Sequence, residues 1–201
     1  MKEIIIGHLE DIKNIVEKIS INNLDYNNYE FSSVDLPRPD SDFIEFKENK
    51  IYKELQARFK NNKKIPYVYW FEYEGVCGKE KILSSLVAYS ANVHKERFFN
   101  TQKSELKFFK TPAVKKKTSN SNILYVGKVN KDLVGRLQPH FGFYFRSPNT
   151  QGLQFRYWLN DLNLTITLHY ISLPKELVGF TGYLERKLAE ELKPIIGKHR
   201  S

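Results

Sequence analysis

The chain has 201 residues and a formal net charge of +9, so it is long enough for one domain with a substantial core, or for a small domain with an extension. No apolar run reaches the roughly 18 residues of a membrane helix and the N-terminus lacks a signal-peptide core, so we expect a soluble, cytoplasmic protein that does not bind membranes. The single cysteine, Cys77, excludes an internal disulfide and a cysteine-based zinc site.

The positive charge is concentrated after residue 60. Residues 1–60 hold 9 basic and 12 acidic side chains, which leaves 32 − 9 = 23 basic and 23 − 12 = 11 acidic side chains in the remainder. Lysine and arginine facing phosphates release condensed counterions, which supplies most non-specific affinity for nucleic acid. The charge therefore favours a polyanionic partner, although a solvated basic surface without such a partner would look the same.

The first 62 residues read as a helical N-terminal extension. Apolar residues recur every three or four positions from Ile4 to Ile19, which predicts an amphipathic helix that packs on the domain or binds a partner. Residues 22–42 are rich in Asn, Asp, Ser and Pro and indicate a loop or linker. A second helix is predicted over about residues 50–60, where large apolar side chains recur every four positions.

The next elements are a strand, a helix and a basic tract. The aromatic and β-branched run Ile65 to Tyr73 predicts a buried strand, and the apolar stripe within Lys79 to Phe99 predicts a helix. Residues 101–122 are polar and basic, which is typical of a loop that holds nucleic-acid backbone or of a solvated loop without contacts. The candidate phosphate contacts in this tract are Lys115, Lys116 and Lys117.

A strand, a short helix, a strand and a final helix are predicted over residues 122–129, 130–138, 164–171 and 182–193. Pro139 should end the short helix at Gln138, because its ring clashes within a continuing turn. Together these elements predict an α+β fold with a small, mostly antiparallel three-stranded sheet flanked by helices. The domain would span residues 63–201, with a helical insertion at about 78–121.

Four short stretches carry a resemblance to a known family. They are Tyr67-Val68-Tyr69 in the first strand, Tyr125-Val126-Gly127-Lys128 in the second, Arg136-Leu137 with His140-Phe141 after it, and Leu184-Glu185 in the last helix. This set resembles the GIY-YIG nuclease superfamily over roughly residues 65–198. The resemblance implies a metal-dependent endonuclease that hydrolyses phosphodiester bonds of nucleic acid, with DNA favoured over RNA.

The resemblance also assigns roles, and each has a physical reason. Glu185 would hold Mg²⁺ or Mn²⁺, because Mg²⁺ keeps several waters and accepts as few as one or two protein carboxylates. Arg136 would hold the scissile phosphate with its planar, permanently charged donor fork. The paired phenols, Tyr69 and Tyr125, would orient or deprotonate the attacking water.

Two cationic or titratable side chains complete the expected site. Lys128 would bind substrate and lower the pKa of a phenol, since an unperturbed phenol has a pKa near 10. His140 would carry a second proton or donate to a phosphate. Alternatives remain for two of the principal residues. Tyr67 competes with Tyr69 for the same role, and Glu185 could instead be a surface glutamate paired with a lysine.

Three departures from the family pattern motivate other hypotheses. The first motif lacks its glycine, tens of residues separate the two tyrosine motifs, and Gly197 stands where an asparagine is expected. The principal rival function is therefore a nucleic-acid-binding module without turnover. A third hypothesis is motivated by the apolar stripe from Ile4 to Ile19 and makes residues 1–60 an interaction arm, with a homodimer formed through the N-terminal helices. The sequence does not choose among restriction, repair, mobile-element and defence roles.

Overall fold

The computed structural model describes residues 6, 7, 10, 14, 26–39, 41–75, 78–99, 121–143 and 152–197. Within them, no helix is both long and apolar enough to cross a membrane. The strands are β1 (Tyr26–Ser32), β2 (Tyr67–Glu74), β3 (Ile123–Val129) and β4 (Thr165–Ser172). The helices are α1 (Phe43–Glu48), α2 (Lys50–Phe59), α3 (Lys79–Phe99), α4 (Leu133–Phe141) and α5 (Thr181–Leu192).

The strands form one antiparallel sheet in the order β1-β4-β2-β3. The α+β class is confirmed, but the predicted three-stranded sheet is wrong by one strand. The fourth is β1, which lies inside the segment interpreted as a helical extension. The sequence pattern of β1 does not predict a strand, because β1 lies at the sheet edge and its buried side chains are confined to Tyr29 and Phe31 near its end. Asparagine and other polar residues fill the rest of the strand.

The helices that follow β1 pack into the main core. Asp42 caps α1 by accepting hydrogen bonds from two backbone N–H groups, and Asn49 caps α2 in the same way. Their buried side chains join the cluster that covers one face of the sheet; they are Phe46, Ile51, Tyr52, Leu55 and Phe59. The helix predicted near residues 50–60 is confirmed. The helix predicted from Ile4 to Ile19 lies mostly outside the described residues, and the division at residue 62 stays a prediction.

Two helices meet at the β3 edge from opposite faces of the sheet. On one face α4 packs with Leu133, Val134 and Leu137 in the main core. On the other face α5 packs its leucine stripe against β2 and β3, with Leu188 against Val126. Since β3 is the edge strand, side chains from both helices can converge there.

Helix α4 does not end at Gln138 as predicted. It continues to Phe141 with Pro139 inside it. The missing N–H removes a single hydrogen bond, to the carbonyl of Gly135, in the last turn of a short helix. The end is set instead by Gly142, whose φ of 103° is accessible to glycine and whose N–H donates to the Gln138 carbonyl.

Candidate functional site

Two tyrosines from neighbouring strands share one face of the sheet because a glycine leaves room for both rings. Tyr69 of β2 lies opposite Gly127 of β3. A Cβ at Gly127 would lie 2.5 Å from the Tyr125 ring and 2.7 Å from the Tyr69 hydroxyl oxygen. The ring centroids of Tyr69 and Tyr125 are 6.3 Å apart. The glycine of the second motif is therefore required by this close approach.

Helix α4 brings Arg136 onto the same two hydroxyls. The helix begins after Asp132, whose carboxylate accepts the Gly135 N–H at 3.0 Å. Arg136 Nε donates to the Tyr69 hydroxyl oxygen at 3.3 Å, and the Tyr125 hydroxyl is near enough to the guanidinium to raise the pKa of Arg136. Burial lowers the pKa of Arg136, but the two tyrosines outweigh it, so the net pKa lies above its ordinary value. The guanidinium stays charged.

Tyr67, the competitor for the first tyrosine role, lies elsewhere. Its ring packs edge-on against Phe59 at 5.6 Å and against Tyr170 at 6.2 Å. The alternation of a strand puts Tyr67 and Tyr69 on one face, two positions apart, but only Tyr69 reaches Arg136 with a hydrogen bond that the structure records. The geometry therefore favours Tyr69 over Tyr67.

His140 lies behind Tyr69, at 1% exposure, and not on a surface that substrate could reach. The Leu153 N–H donates to Nδ1 at 3.2 Å, so the ring hydrogen lies on Nε2, which donates to the Tyr69 oxygen at 2.8 Å. Burial, reinforced by the charge of Arg136, lowers the pKa of His140 well below its usual value. The structure thus replaces the predicted substrate contact with a neutral donor that fixes the Tyr69 hydroxyl.

Both phenols are protonated at neutral pH. Burial raises the pKa of Tyr69 and of Tyr125, and Arg136 offsets only part of that rise. The Tyr69 side chain is 0% exposed, whereas Tyr125 is partly exposed. Lys128 does not produce the predicted lowering of a phenol pKa; its charge acts on Glu185 instead. Of the two phenols, Tyr125 is the one that can meet solvent.

Glu185 joins this group from the opposite face of the sheet. Burial raises the pKa of its carboxyl, and the charges of Lys128 and Arg136 lower it by less. The carboxylate in turn raises the pKa of Tyr125. The first turn of α5 lies against Lys128, because a Cβ at Gly182 would stand 3.1 Å from Nζ. The structure therefore brings the predicted Tyr69, Tyr125, Arg136 and Glu185 together.

The donor set fits a metal ion held by one carboxylate. Among the described residues, no group of three or more His, Cys, Asp and Glu side chains could hold a metal. Glu185 would thus be the sole protein ligand, with water and substrate completing the shell, as Mg²⁺ tolerates. The partial burial that raises its pKa favours a cation beside the ionised carboxylate, and the charges of Lys128 and Arg136 oppose one.

Several predicted features lie outside the site or outside the described residues. Lys115, Lys116 and Lys117 fall outside the described residues. Gly197 has a φ of 130°, a backbone conformation that an asparagine would adopt only with strain. Sequence reasoning missed the Leu153 N–H that sets the His140 tautomer, since no pattern links a backbone group to a side chain 13 positions earlier. It also missed Gly182; a glycine in the first turn of a helix is the signal that would have pointed to a close neighbour.

Comparison with protein-family models, with curated proteins and with solved structures found no match to this chain. The resemblance to GIY-YIG nucleases therefore depends on the residues quoted above and on their arrangement. Any function assigned to the chain has to be argued from the chemistry of this site.

Proposed function

We propose that this protein is a metal-dependent endonuclease that hydrolyses phosphodiester bonds of nucleic acid, with DNA favoured over RNA. The single observation that carries the proposal is the convergence of Arg136, two protonated phenols and the Glu185 carboxylate at the β3 edge. Phosphodiester hydrolysis needs charge stabilisation on the phosphoryl oxygens and an oriented water. These four side chains supply groups suited to both tasks.

Arg136 is the proposed phosphate ligand. A guanidinium presents five N–H donors in a rigid plane that suits phosphoryl oxygens. Tyr69, fixed by the His140 Nε2–H at 2.8 Å, holds Arg136 Nε at 3.3 Å and so restricts the orientation of the fork. Tyr69 is therefore proposed as a positioning residue in this conformation. A donor that is already oriented does not have to reorganise when charge develops on the phosphoryl group, so no free energy of reorganisation is required.

Tyr125 is the proposed contact with the attacking water. Tyr125 is partly exposed and its hydroxyl is protonated at neutral pH, so it would orient the water by hydrogen bonding. Glu185 would hold the ion, and a bound Mg²⁺ or Mn²⁺ would lower the pKa of water and stabilise charge on the phosphoryl oxygens. Lys128, exposed on β3, would bind the nucleic-acid backbone next to Glu185.

A nucleic-acid-binding module without turnover is the second candidate. It is favoured by Gly197, whose φ of 130° suits glycine at the position where the family pattern has asparagine. It is also favoured by the raised pKa of both phenols, which makes neither an effective base near neutral pH. In this candidate Arg136 and Lys128 bind phosphates and no bond is broken.

The decisive experiment is incubation of the purified full chain with supercoiled DNA, single-stranded DNA and structured RNA, in Mg²⁺, Mn²⁺ or EDTA. Cleavage should require the metal and should be lost in Glu185→Ala and Arg136→Ala. Glu191→Ala is the matched control, because Glu191 is an exposed glutamate on the same helix. Cleavage by Glu185→Ala at the wild-type rate would rule out the proposed metal ligand. Binding that weakens with salt and never leads to cleavage would support the second candidate.

Metal binding can be measured without activity. If Glu185 holds Mg²⁺, adding the ion should raise the melting temperature of the wild type and of Glu191→Ala, but not of Glu185→Gln. A ligand at 100 times its dissociation constant stabilises the native state by about 2.7 kcal/mol. An equal rise in all three proteins would place the ion elsewhere.

A further inference from the structure

Three exposed lysines lie at the turn between β3 and α4. Lys131 is in the turn itself, and Lys63 and Lys64 are in the connection from α2 to β2. Residues 60–64 hold three lysines and no acidic side chain. The ammonium groups of Lys63, Lys64 and Lys131 form no hydrogen bond or ion pair with any described residue. We name these three residues the lysine cluster, and their charges are available to an anionic partner.

Backbone hydrogen bonding joins the two segments that carry the lysine cluster. The N–H of Asp132 donates to the carbonyl oxygen of Lys63 at 2.8 Å, and Lys131 and Lys64 adjoin these two residues. The carboxylate of Asp132, the acidic side chain of the turn, accepts the Gly135 N–H at 3.0 Å at the start of α4. That carboxylate is thus held at the positive end of the helix dipole, and the three ammonium groups outnumber it.

The same turn adjoins the candidate site on two sides. The Arg136 N–H donates to the Asp132 carbonyl oxygen at 3.1 Å, so Arg136 lies one helical turn away, about 6 Å along the axis of α4. Because side chains on a helix tilt towards its N-terminus, that of Arg136 extends back towards the turn. On the other side, the Thr181 hydroxyl donates to Asn130 Oδ1 at 3.1 Å, which ties the turn to the start of the helix that carries Glu185.

We propose that the lysine cluster binds nucleic-acid phosphates that flank the one held by Arg136. This inference rests on the proposed function and deepens it by naming the path of the nucleic-acid backbone, which leads over the turn between β3 and α4 to the site. A lysine ammonium is a point charge on a flexible stem, so it can follow a phosphate without a fixed geometry. Contacts to phosphates carry no sequence information, so the lysine cluster would add affinity and position the substrate without reading its bases.

The test measures how salt weakens binding of a short, fluorescein-labelled DNA duplex, followed by fluorescence anisotropy. The protein is the full chain carrying Glu185→Ala, which prevents cleavage during binding, with or without Lys63→Gln, Lys64→Gln and Lys131→Gln together. Each phosphate contact contributes about 0.9 to the slope of log affinity against log salt. Raising the salt from about 50 to about 200 mM should therefore weaken binding about 40-fold more when the lysine cluster is intact than when all three lysines are replaced.

The matched control replaces three exposed lysines elsewhere, Lys50, Lys53 and Lys81, by Gln, so its net charge equals that of the cluster variant. Lys50 and Lys53 lie in the first half of α2, which is about 15 Å long and has the lysine cluster beyond its other end. Lys81 follows the opposite end of β2. Both triple variants change only surface side chains and should melt close to the parent protein, which thermal unfolding checks. The control should keep nearly the full salt dependence of the parent.

Two results would overturn the inference. One is a control variant that loses as much salt dependence as the cluster variant, which would show that only the net charge matters. The other is a cluster variant with the salt dependence of the parent; if the wild type still cleaves DNA, the nuclease proposal survives that result. Failure of the proposed function looks different, because the wild type would then cleave nothing while the cluster variant alone lost salt dependence. The lysine cluster would then stand as part of a binding module.

Discussion

Removing the hydroxyl oxygen of Tyr69 tests the hydrogen-bond network that positions Arg136, and removing that of Tyr67 provides the control. Tyr69 and Tyr67 lie on the same strand, face the same side and are 0% and 1% exposed. The Tyr69 oxygen accepts hydrogen bonds from His140 Nε2 at 2.8 Å and from Arg136 Nε at 3.3 Å. The Tyr67 hydroxyl makes no hydrogen bond of ordinary geometry with any described residue, although Asn62 lies near enough to lower its pKa slightly.

The two substitutions to phenylalanine should therefore differ in cost. Tyr69→Phe leaves the Nε2–H of His140 buried and unpaired, which costs about 1–3 kcal/mol. Arg136 is partly exposed and recovers its bond with water, so we expect a total near 2 kcal/mol. For a chain of this length, that lowers the melting temperature by about 4–8 °C. Tyr67→Phe removes a buried hydroxyl without a recorded partner, so it should leave stability unchanged or raise it slightly.

Urea denaturation followed by tryptophan fluorescence gives both free energies of unfolding, provided that the slope against denaturant stays constant. The reasoning would be refuted if Tyr67→Phe cost as much as Tyr69→Phe, or if Tyr69→Phe cost less than about 0.5 kcal/mol. Activity provides a second readout, because Tyr69→Phe should lower the cleavage rate and Tyr67→Phe should not.

Four further predictions concern single side chains of the site. Gly127→Ala should cost about 1–3 kcal/mol in denaturant unfolding, because its Cβ would lie 2.5 Å from the Tyr125 ring; a stable variant with wild-type activity would contradict this. Arg136→Lys should not restore the cleavage lost in Arg136→Ala, since an ammonium lacks the planar donor fork that lets a guanidinium hydrogen-bond Tyr69 and a phosphate at the same time. Glu185→Gln should raise the free energy of unfolding at neutral pH by about 0.5 kcal/mol, because burial disfavours the ionised carboxyl that the substitution removes. It should also abolish cleavage. A variant less stable than wild type would refute the upward direction of the Glu185 pKa shift. The pKa of His140 is lowered only in the folded protein, so on acidification the unfolded chain takes up a proton first. The free energy of unfolding should therefore fall as pH drops below about 6.5, by up to 1.4 kcal/mol per pH unit. In His140→Gln the contribution of His140 to this pH dependence should vanish.

The sequence predicted most of the elements near the site because their patterns are local. The strands around Tyr69 and Tyr125 are dense in aromatic and β-branched residues, and the leucine stripe of α5 recurs with helical spacing. The strand β1 was not predicted, because an edge strand with two buried side chains carries too little alternation to distinguish it from a loop. The end of α4 was predicted too early, because a proline in the last turn of a helix removes only one hydrogen bond and disrupts the helix less than a proline in its interior.

Proximity within the site could be predicted only in part. The resemblance named Tyr69, Tyr125, Arg136 and Glu185, and the fold brings all four to one edge. Electrostatic environment was not predictable, since burial depends on the whole fold. As a result, the charge of Lys128 lowers the pKa of Glu185 and not, as expected, that of a phenol. The fold also moved His140 from the surface to a position behind Tyr69.

The directions of the pKa shifts show which side chains of the site burial disfavours in their charged form. Burial pushes Tyr69, Tyr125 and His140 towards their neutral forms and disfavours the ionised form of Glu185, whereas Arg136 alone is held firmly in its charged form. A positive group surrounded by neutral hydrogen-bond donors is suited to an anion, and in a partly desolvated site that attraction is weakly screened. Phosphate binding through Arg136 therefore follows in both candidate functions. Turnover additionally requires Glu185 to hold a divalent cation against the opposing charges of Lys128 and Arg136, so the response of Glu185 to Mg²⁺ separates a nuclease from a binding module.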